Sequence, residues 1–386
     1  MSPREDQFLQ GIERVELKTP LDRTSSSSGT YTTSKQQART RKQTPQNHYL
    51  GDLFDRSFPV DTWWPVLRYH QGTLQKVIET FKPDVLWSTA DPWSSHLTAM
   101  ALTQKNKIPW VADFRDPWTL CPIRSRQRMP WAKAIDKNME SKVLTQADQV
   151  VFTAANTTRI YRDHYAGLAT PMSTIYNSFD DEFFLPLKHP KNDDVTTGKF
   201  NILFYGRFRA LSSAGPVIKL LETIKELNPE VFESITVQSC GELPKEDAIK
   251  AESSGVIAAF ETVSSEPYEN TFNRLDQADV LLLSTEPSRN EIIPAKLWDY
   301  LIAGKPIISL SQNPEVDDIL RQTKTGAQFA MHDMDKAANL AIESFKARKR
   351  GIPLPYSIEA DKEKIQAYSS VNATARLAGL FDQLKG

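Results

Sequence analysis

Two rhythms of apolar and polar positions run along this chain. From residue 61 onward, apolar runs of four to seven residues alternate with stretches in which apolar side chains recur every three or four residues. The first rhythm belongs to buried strands, the second to helices with one face against a core. Helical spacing runs over residues 65–81 through Val66, Tyr69, Leu74, Val77, Ile78 and Phe81, until Pro83 ends it. Strands are predicted at 85–88, 108–114, 149–153 and 173–176, with helices at 94–106 and 130–147. The rhythm resumes with strands at 200–205, 235–239, around 256–260, 280–284 and 306–310, helices between them, and a last helix over 362–384. Short apolar strands alternating with helices predict βαβ units and parallel sheets.

Two polar stretches interrupt this pattern. Residues 22–47 are rich in Ser, Thr, Gln, Arg and Lys. Burial there cannot offset the entropy of ordering, so a long mobile loop is predicted, with one short strand before it at 11–17. The second polar stretch, 188–199, marks a domain boundary. The predicted organisation is a partly disordered segment 1–60, an α/β domain over 61–185, a second over 199–355, and the closing helix.

Composition narrows the function classes. The chain is 40% hydrophobic and 25% charged, as soluble globular proteins are. A net charge of −1 gives no global field for nucleic acid, so an anionic ligand needs a local cluster. Cys121 and Cys240 build neither a disulfide framework nor a zinc site. The first residues contain no apolar signal core, and no apolar run approaches the ~20 residues of a membrane span. A cytoplasmic protein is expected. No Asp-x-Asp pair lies in a suitable loop, so no metal is expected.

The most informative stretch is 291–310, EIIPAKLWDYLIAGKPIISL. Pro294 suits a first helical turn, where its missing N–H costs nothing; Gly304 suits the left-handed residue after the last turn. A helix is therefore predicted over 294–303, with Glu291 in the loop before it. Its free N–H groups, together with those of Ile292 and Ile293, form an anion site at the carboxyl end of the strand ending near Ser284. Glu291 would then lie beside the group attached to a diphosphate, as a candidate catalytic residue. Asp299, more than a turn into the helix, would reach the other end of the same ligand, because carboxylates bind vicinal hydroxyls. The plain alternative is an amphipathic helix with solvated acids.

This segment resembles the donor motif of the retaining GT-B glycosyltransferases, especially family 4: an acid, seven residues, a second acid, then Gly-x-Pro. Here it reads Glu291, Asp299 and Gly304-Lys305-Pro306, with Asp in place of the usual second Glu. The resemblance implies two Rossmann-like domains with parallel sheets facing an interdomain cleft, the first on the acceptor side and the second binding a nucleotide-sugar. It also implies a C-terminal helix that crosses back to the first domain. Phe204-Tyr205-Gly206-Arg207 resembles the entry to the family's diphosphate site, with Arg209 and Lys296 as further phosphate partners. The alternative for Arg207 is a surface charge. Thr262-Val263-Ser264 resembles the segment that meets the base through main-chain groups, and Asn177–Asp180 resembles the interdomain linker.

In the first half, Val111–Trp118 (VADFRDPW) resembles the family's acceptor-side strand end. Arg115 and Asp116 would line the cleft there, with Asp116 orienting the acceptor or taking its proton. An Arg–Asp pair closing a turn is the alternative. His96 reads as a residue of a helix-capping region rather than a catalyst. Arg124, Arg126 and Arg128, with Trp131, suit either an anionic membrane surface or a solvated loop. The resemblance covers residues 50–386. The family's leading strand and glycine-rich turn have no counterpart, which implies a first domain incomplete at its N-terminus.

The predicted function is metal-independent transfer of a sugar, with retention, from a nucleotide-sugar substrate to a saccharide or lipid-linked acceptor. Cell-surface polysaccharide synthesis in the cytoplasm is the expected setting, with peripheral contact at the inner membrane face as the alternative to a freely soluble enzyme. No separate cofactor and no nucleic-acid partner are expected. The competing readings are a nucleotide-sugar epimerase on the same fold, which would need further acids and His, and a non-catalytic nucleotide-sugar-binding remnant.

Overall fold

The computed structural model describes residues 12–13, 15, 17, 56–180, 198–209, 211–264, 271–286 and 289–385, without the side chains of Ile123 and Arg126. The predicted loop at 22–47, residues 11, 14 and 16 of the predicted strand at 11–17, and most of the polar boundary at 188–199 lie outside these residues, and Ile12, Glu13, Val15 and Leu17 belong to no strand. The chain divides into two compact units. The N-terminal unit comprises residues up to Val150 with 168–171 and Lys385, and the C-terminal unit comprises 151–167 and 172–384 with Gly386.

The N-terminal unit carries α1 (Trp64–Tyr69), α2 (Gln71–Phe81), β1 (Leu86–Thr89), α3 (Ser94–Asn106), β2 (Trp110–Arg115), α4 (Pro122–Gln127), α5 (Pro130–Gln146) and the start of β3 (Gln149–Phe152). The helical spacing over 65–81 is split at His70 into two helices, and Tyr69 and Phe81 on them are exposed. A short helix, α4, replaces the predicted loop after Trp118, with Pro122 in its first turn. β1 and β2 are parallel, Leu86 opposite Trp110 and Thr89 opposite Asp113. Asp61 starts α3 from outside, accepting the Ser94 N–H and hydroxyl, both at 2.7 Å.

His96 lies in the first turn of α3, as its place in a helix-capping region predicts, but its side chain caps no N–H group. It is fully buried, stacked on Phe114 with ring centres 4.9 Å apart. Its Nδ1 lies 2.8 Å from the Ser88 hydroxyl, which also accepts from Trp110 Nε1 at 2.9 Å. Burial pushes its pKa down to about 3, so the ring is a neutral core group.

The C-terminal unit continues with α6 (Ala155–His164), β4 (Met172–Thr174), β5 (Phe200–Phe204), α7 (Gly215–Leu227), α8 (Pro229–Ser234), β6 (Ile235–Ser239), α9 (Lys245–Ser253), β7 (Phe260–Thr262), α10 (Thr271–Asp276), β8 (Val280–Ser284), α11 (Lys296–Ile302), β9 (Ile307–Leu310), α12 (Pro314–Thr323), β10 (Gly326–Phe329), α13 (Met334–Lys349), α14 (Lys362–Gln366) and α15 (Ser370–Lys385). A four-stranded sheet has the order β1-β2-β3-β4, and a six-stranded parallel sheet the order β10-β9-β8-β5-β6-β7.

Alternation along the six strands explains the layers. Phe200, Ile202, Phe204, Val280 and Leu282 face one way and pack with α7 and α13. Leu203, Leu281 and Leu283 face the other way, against α11 and α12. Both faces are covered, which is why the strands read as continuous apolar runs. The strand order reverses between β5 and β8, paired through Ile202–Val280 and Leu203–Leu281. In a doubly wound sheet, ligands bind outside the carboxyl ends of the two strands at such a reversal.

Candidate functional site

The loops leaving β5 and β8 both start at that reversal. In the first, residues alternate between core and solvent. Phe208 is buried and stacks on Phe204 with ring centres 4.2 Å apart, while Arg207 and Arg209 on either side are exposed. Arg207 Nε donates to the Cys240 carbonyl at 3.2 Å, and its aliphatic stem covers Gly241. The loop is tied to its neighbours: Cys240 N–H donates to the Gly206 carbonyl at 2.8 Å, and the Ser284 hydroxyl to the Ser213 carbonyl at 2.6 Å.

Gly206 has φ of 151°, and a Cβ there would lie 3.1 Å from Lys296 Nζ. The ammonium thus packs against bare backbone, 3.4 Å from the centre of the Phe204 ring. Burial, helped by the charge of Arg209, pushes the Lys296 pKa down to about 7. Among the described residues no carboxylate pairs with Arg207, Arg209 or Lys296. Arg209 is near enough to Lys296 to affect its titration, and Arg207 lies on the same loop as Arg209, where the sheet places ligands.

The loop after β8 carries the predicted acid. The helix behind it begins at Lys296, two residues later than predicted. Leu297 and Trp298 donate to the Pro294 and Ala295 carbonyls, a tight turn that uses N–H groups a regular helix start would leave open. The later start brings Asp299 into the first turn, three residues after Lys296 and so on a neighbouring part of the helix surface. Ile293 is buried in the core and anchors the loop, while Ile292 is half-buried. No acceptor for the N–H groups of Glu291, Ile292 or Ile293 lies among the described residues. Val263 is buried beyond the end of β7, its N–H bound to the Ser239 carbonyl at 2.8 Å.

Glu291 is 4% exposed and its Oε1 lies 2.5 Å from Arg289 Nε. The approach is off the N–H direction, so it is a charge contact rather than a directed hydrogen bond. Arg289 was not picked out by sequence reasoning. A basic residue two positions before the motif acid was the available signal.

In the N-terminal unit, Arg115 takes a left-handed conformation with φ of 48°, which ends the alternation of β2. Arg115 and Asp116 are consequently both exposed at the strand end. Asp113 accepts from the Thr89 hydroxyl at 3.1 Å and from the Arg115 N–H at 3.2 Å, and burial raises its pKa. Arg124 and Arg128 turn inward. Arg124 donates to the Val60 carbonyl at 2.7 Å, and Arg128 donates to Phe58 and pairs with buried Asp136 at 2.7 Å. Their charges support the chain's own backbone, although Trp131 is 52% exposed. The Arg126 side chain lies outside the described residues.

Comparison with known proteins bears on the fold. Residues 32–177 match the family model of the Glycosyl transferase 4-like domain. No curated protein matches the chain. Sucrose-phosphate synthase (tll1590) from Thermosynechococcus elongatus superposes with a TM-score of 0.60 at 16% identity, covering 84% of this chain and 79% of that one. Anabaena Alr3699/HepE in complex with UDP gives 0.59 at 15%, covering 83% and 82%. An α,α-trehalose-phosphate synthase (UDP-forming) from Burkholderia vietnamiensis gives 0.59 at 9%, covering 83% and 77%. The fold is GT-B. Among the described residues of this GT-B chain, no helix is long and apolar enough to cross a membrane, and no cluster of His, Cys, Asp or Glu is placed to hold a metal ion.

Proposed function

We propose that the chain is a glycosyltransferase whose C-terminal unit binds a nucleoside-diphosphate sugar at the β5–β8 reversal. The observation that carries this reading is that Arg207, Arg209 and Lys296, none paired with an acid among the described residues, and the N–H groups of 291–293, without an acceptor among those residues, lie on the segments that leave the two strands of the reversal. Fixed donors and cations aimed at a diphosphate stabilise the charge that develops as the sugar departs. Uptake of the departing charge at Lys296 favours its protonated form. Asp299, on the helix that bears Lys296, is the proposed ribose contact. Retention follows if the acceptor attacks from the leaving-group face, with Arg115 and Asp116 orienting a saccharide or lipid-linked acceptor. Synthesis of a surface polysaccharide is the setting we propose, and the exposed Trp131 is what supports a membrane-side acceptor.

The pairing of Glu291 with Arg289 favours one other reading, a protein that binds donor without transferring it, because a neutralised carboxylate has less to offer a sugar. Calorimetry with UDP and a panel of nucleotide-sugars tests the first part of the proposal. UDP is chosen because a structural relative was solved with it. Binding of at least one ligand is expected, and Arg207→Ala should weaken it about tenfold. No binding by any of them would remove the donor site. Donor binding without turnover over a set of acceptors would favour the second reading.

A further inference from the structure

Three consecutive carbonyls in the loop after β8 are each held by a different side chain. The Asn156 side-chain amide donates to the Asn290 carbonyl, and the Thr157 hydroxyl donates to the Glu291 carbonyl. Asn313 Nδ2 donates to the Ile292 carbonyl at 2.7 Å. Thr157 and Asn313 are each 1% exposed, so these bonds face no competition from water. The two helices that supply the donors are locked to each other. Asn313 caps α12, its Oδ1 accepting the Glu315 N–H at 2.9 Å. Glu315 in turn accepts the Ala155 and Asn156 N–H groups of α6, at 2.6 and 2.9 Å, and the Tyr176 hydroxyl at 2.7 Å.

In a peptide unit the carbonyl and the N–H point in opposite directions. Holding the carbonyls of 290, 291 and 292 on one side therefore turns the N–H groups of 291, 292 and 293 to the other. Those are the three N–H groups without an acceptor among the described residues. Successive N–H groups turned to one side form a concavity for an anion. Buried carbonyls fully satisfied on one side and open donors on the other are hard to explain as packing alone, because unpaired N–H groups are costly.

We propose that Asn156, Thr157 and Asn313 are positioning residues that hold the 290–293 loop in its anion-binding form, braced by Glu315. They touch no substrate; they fix the direction of the N–H row that does. This rests on the donor-site reading above, and the test separates the two. UDP is titrated by calorimetry into the full wild-type chain and into Thr157→Val, Thr157→Ser and Asn313→Asp. Backbone order parameters at residues 291–293 are measured in the same four proteins without ligand. Asn313→Asp retains the cap on α12 but loses the donor to Ile292. Thr157→Val and Asn313→Asp should each weaken UDP about tenfold, while Thr157→Ser stays within about twofold of wild type. Residues 291–293 should become more mobile in Thr157→Val and Asn313→Asp only. Wild-type UDP affinity in Thr157→Val, or unchanged order at 291–293, overturns the proposal. If wild type binds no nucleoside diphosphate, the donor-site reading fails, and the order parameters alone decide whether the loop is held as described.

Discussion

Lys296 holds its ammonium 3.4 Å from the Phe204 ring centre and feels the charge of Arg209, so its proton leaves at about pH 7. A bound diphosphate stabilises the protonated form and raises that pKa. UDP affinity should therefore be highest below pH 7 and fall as pH rises through about 7, with proton uptake visible as a buffer dependence of the binding enthalpy. Lys296→Met should weaken UDP and flatten that profile; a wild-type affinity constant from pH 6 to 9 would count against the assignment. His96 gives a stability prediction of the opposite origin. Its folded pKa is about 3 against 6.5 unfolded, so the unfolded chain takes up a proton between those values and the folded chain does not. Stability should fall as pH drops from 6.5 toward 3, and His96→Phe should reduce that slope in thermal melts. Glu291 is the residue whose environment the sequence did not foretell. Removing it by Glu291→Ala leaves Arg289 charged and 7% exposed, which should cost about 3 kcal/mol in chemical denaturation. A loss of activity in that variant must therefore be read against its melting curve.

At the scale of elements, β8 was legible because Val280-Leu281-Leu282-Leu283 is buried on both faces and needs no alternation. β10 was not, because Gly326-Ala327-Gln328-Phe329 offers little apolar signal at a sheet edge. Its glycine is required by the neighbouring strand, since a Cβ at 326 would lie 2.1 Å from the Ile307 carbonyl oxygen. Gly326→Ala should cost about 2 kcal/mol in chemical denaturation, as overpacking against fixed backbone does; a neutral effect would mean the edge strand yields freely. The apolar run 256–260 illustrates the converse. It predicts a strand, but its centre coils into a turn at Ile257–Ala259 and the strand begins at Phe260. Apolar content alone did not say which residues pair with β6. The motif helix lost its first residues for a local reason: Pro294 and Ala295 offer carbonyls to a tight turn before regular bonding begins.

For the molecule as a whole, the candidate donor groups all belong to the C-terminal unit. UDP should slow hydrogen exchange at 204–209 and 290–297 and leave 113–118 unchanged, and protection confined to other segments would displace the site. The sequence by itself determined the α/β class, the rhythm of strands and helices, and the residues worth watching at 204–209 and 291–299. It could do so because burial and turn chemistry write local patterns of period two and three to four. Tertiary structure alone decided that β5 and β8 are neighbours, which brings Arg207 and Arg209 to the loop of Glu291. It also decided that Glu291 meets Arg289, that Arg124 and Arg128 face inward, and that Asn156, Thr157 and Asn313 hold one loop. Contacts between residues about twenty to more than a hundred positions apart, or between one buried charge and the partner it finds, depend on strand order and packing, and no local spacing encodes them.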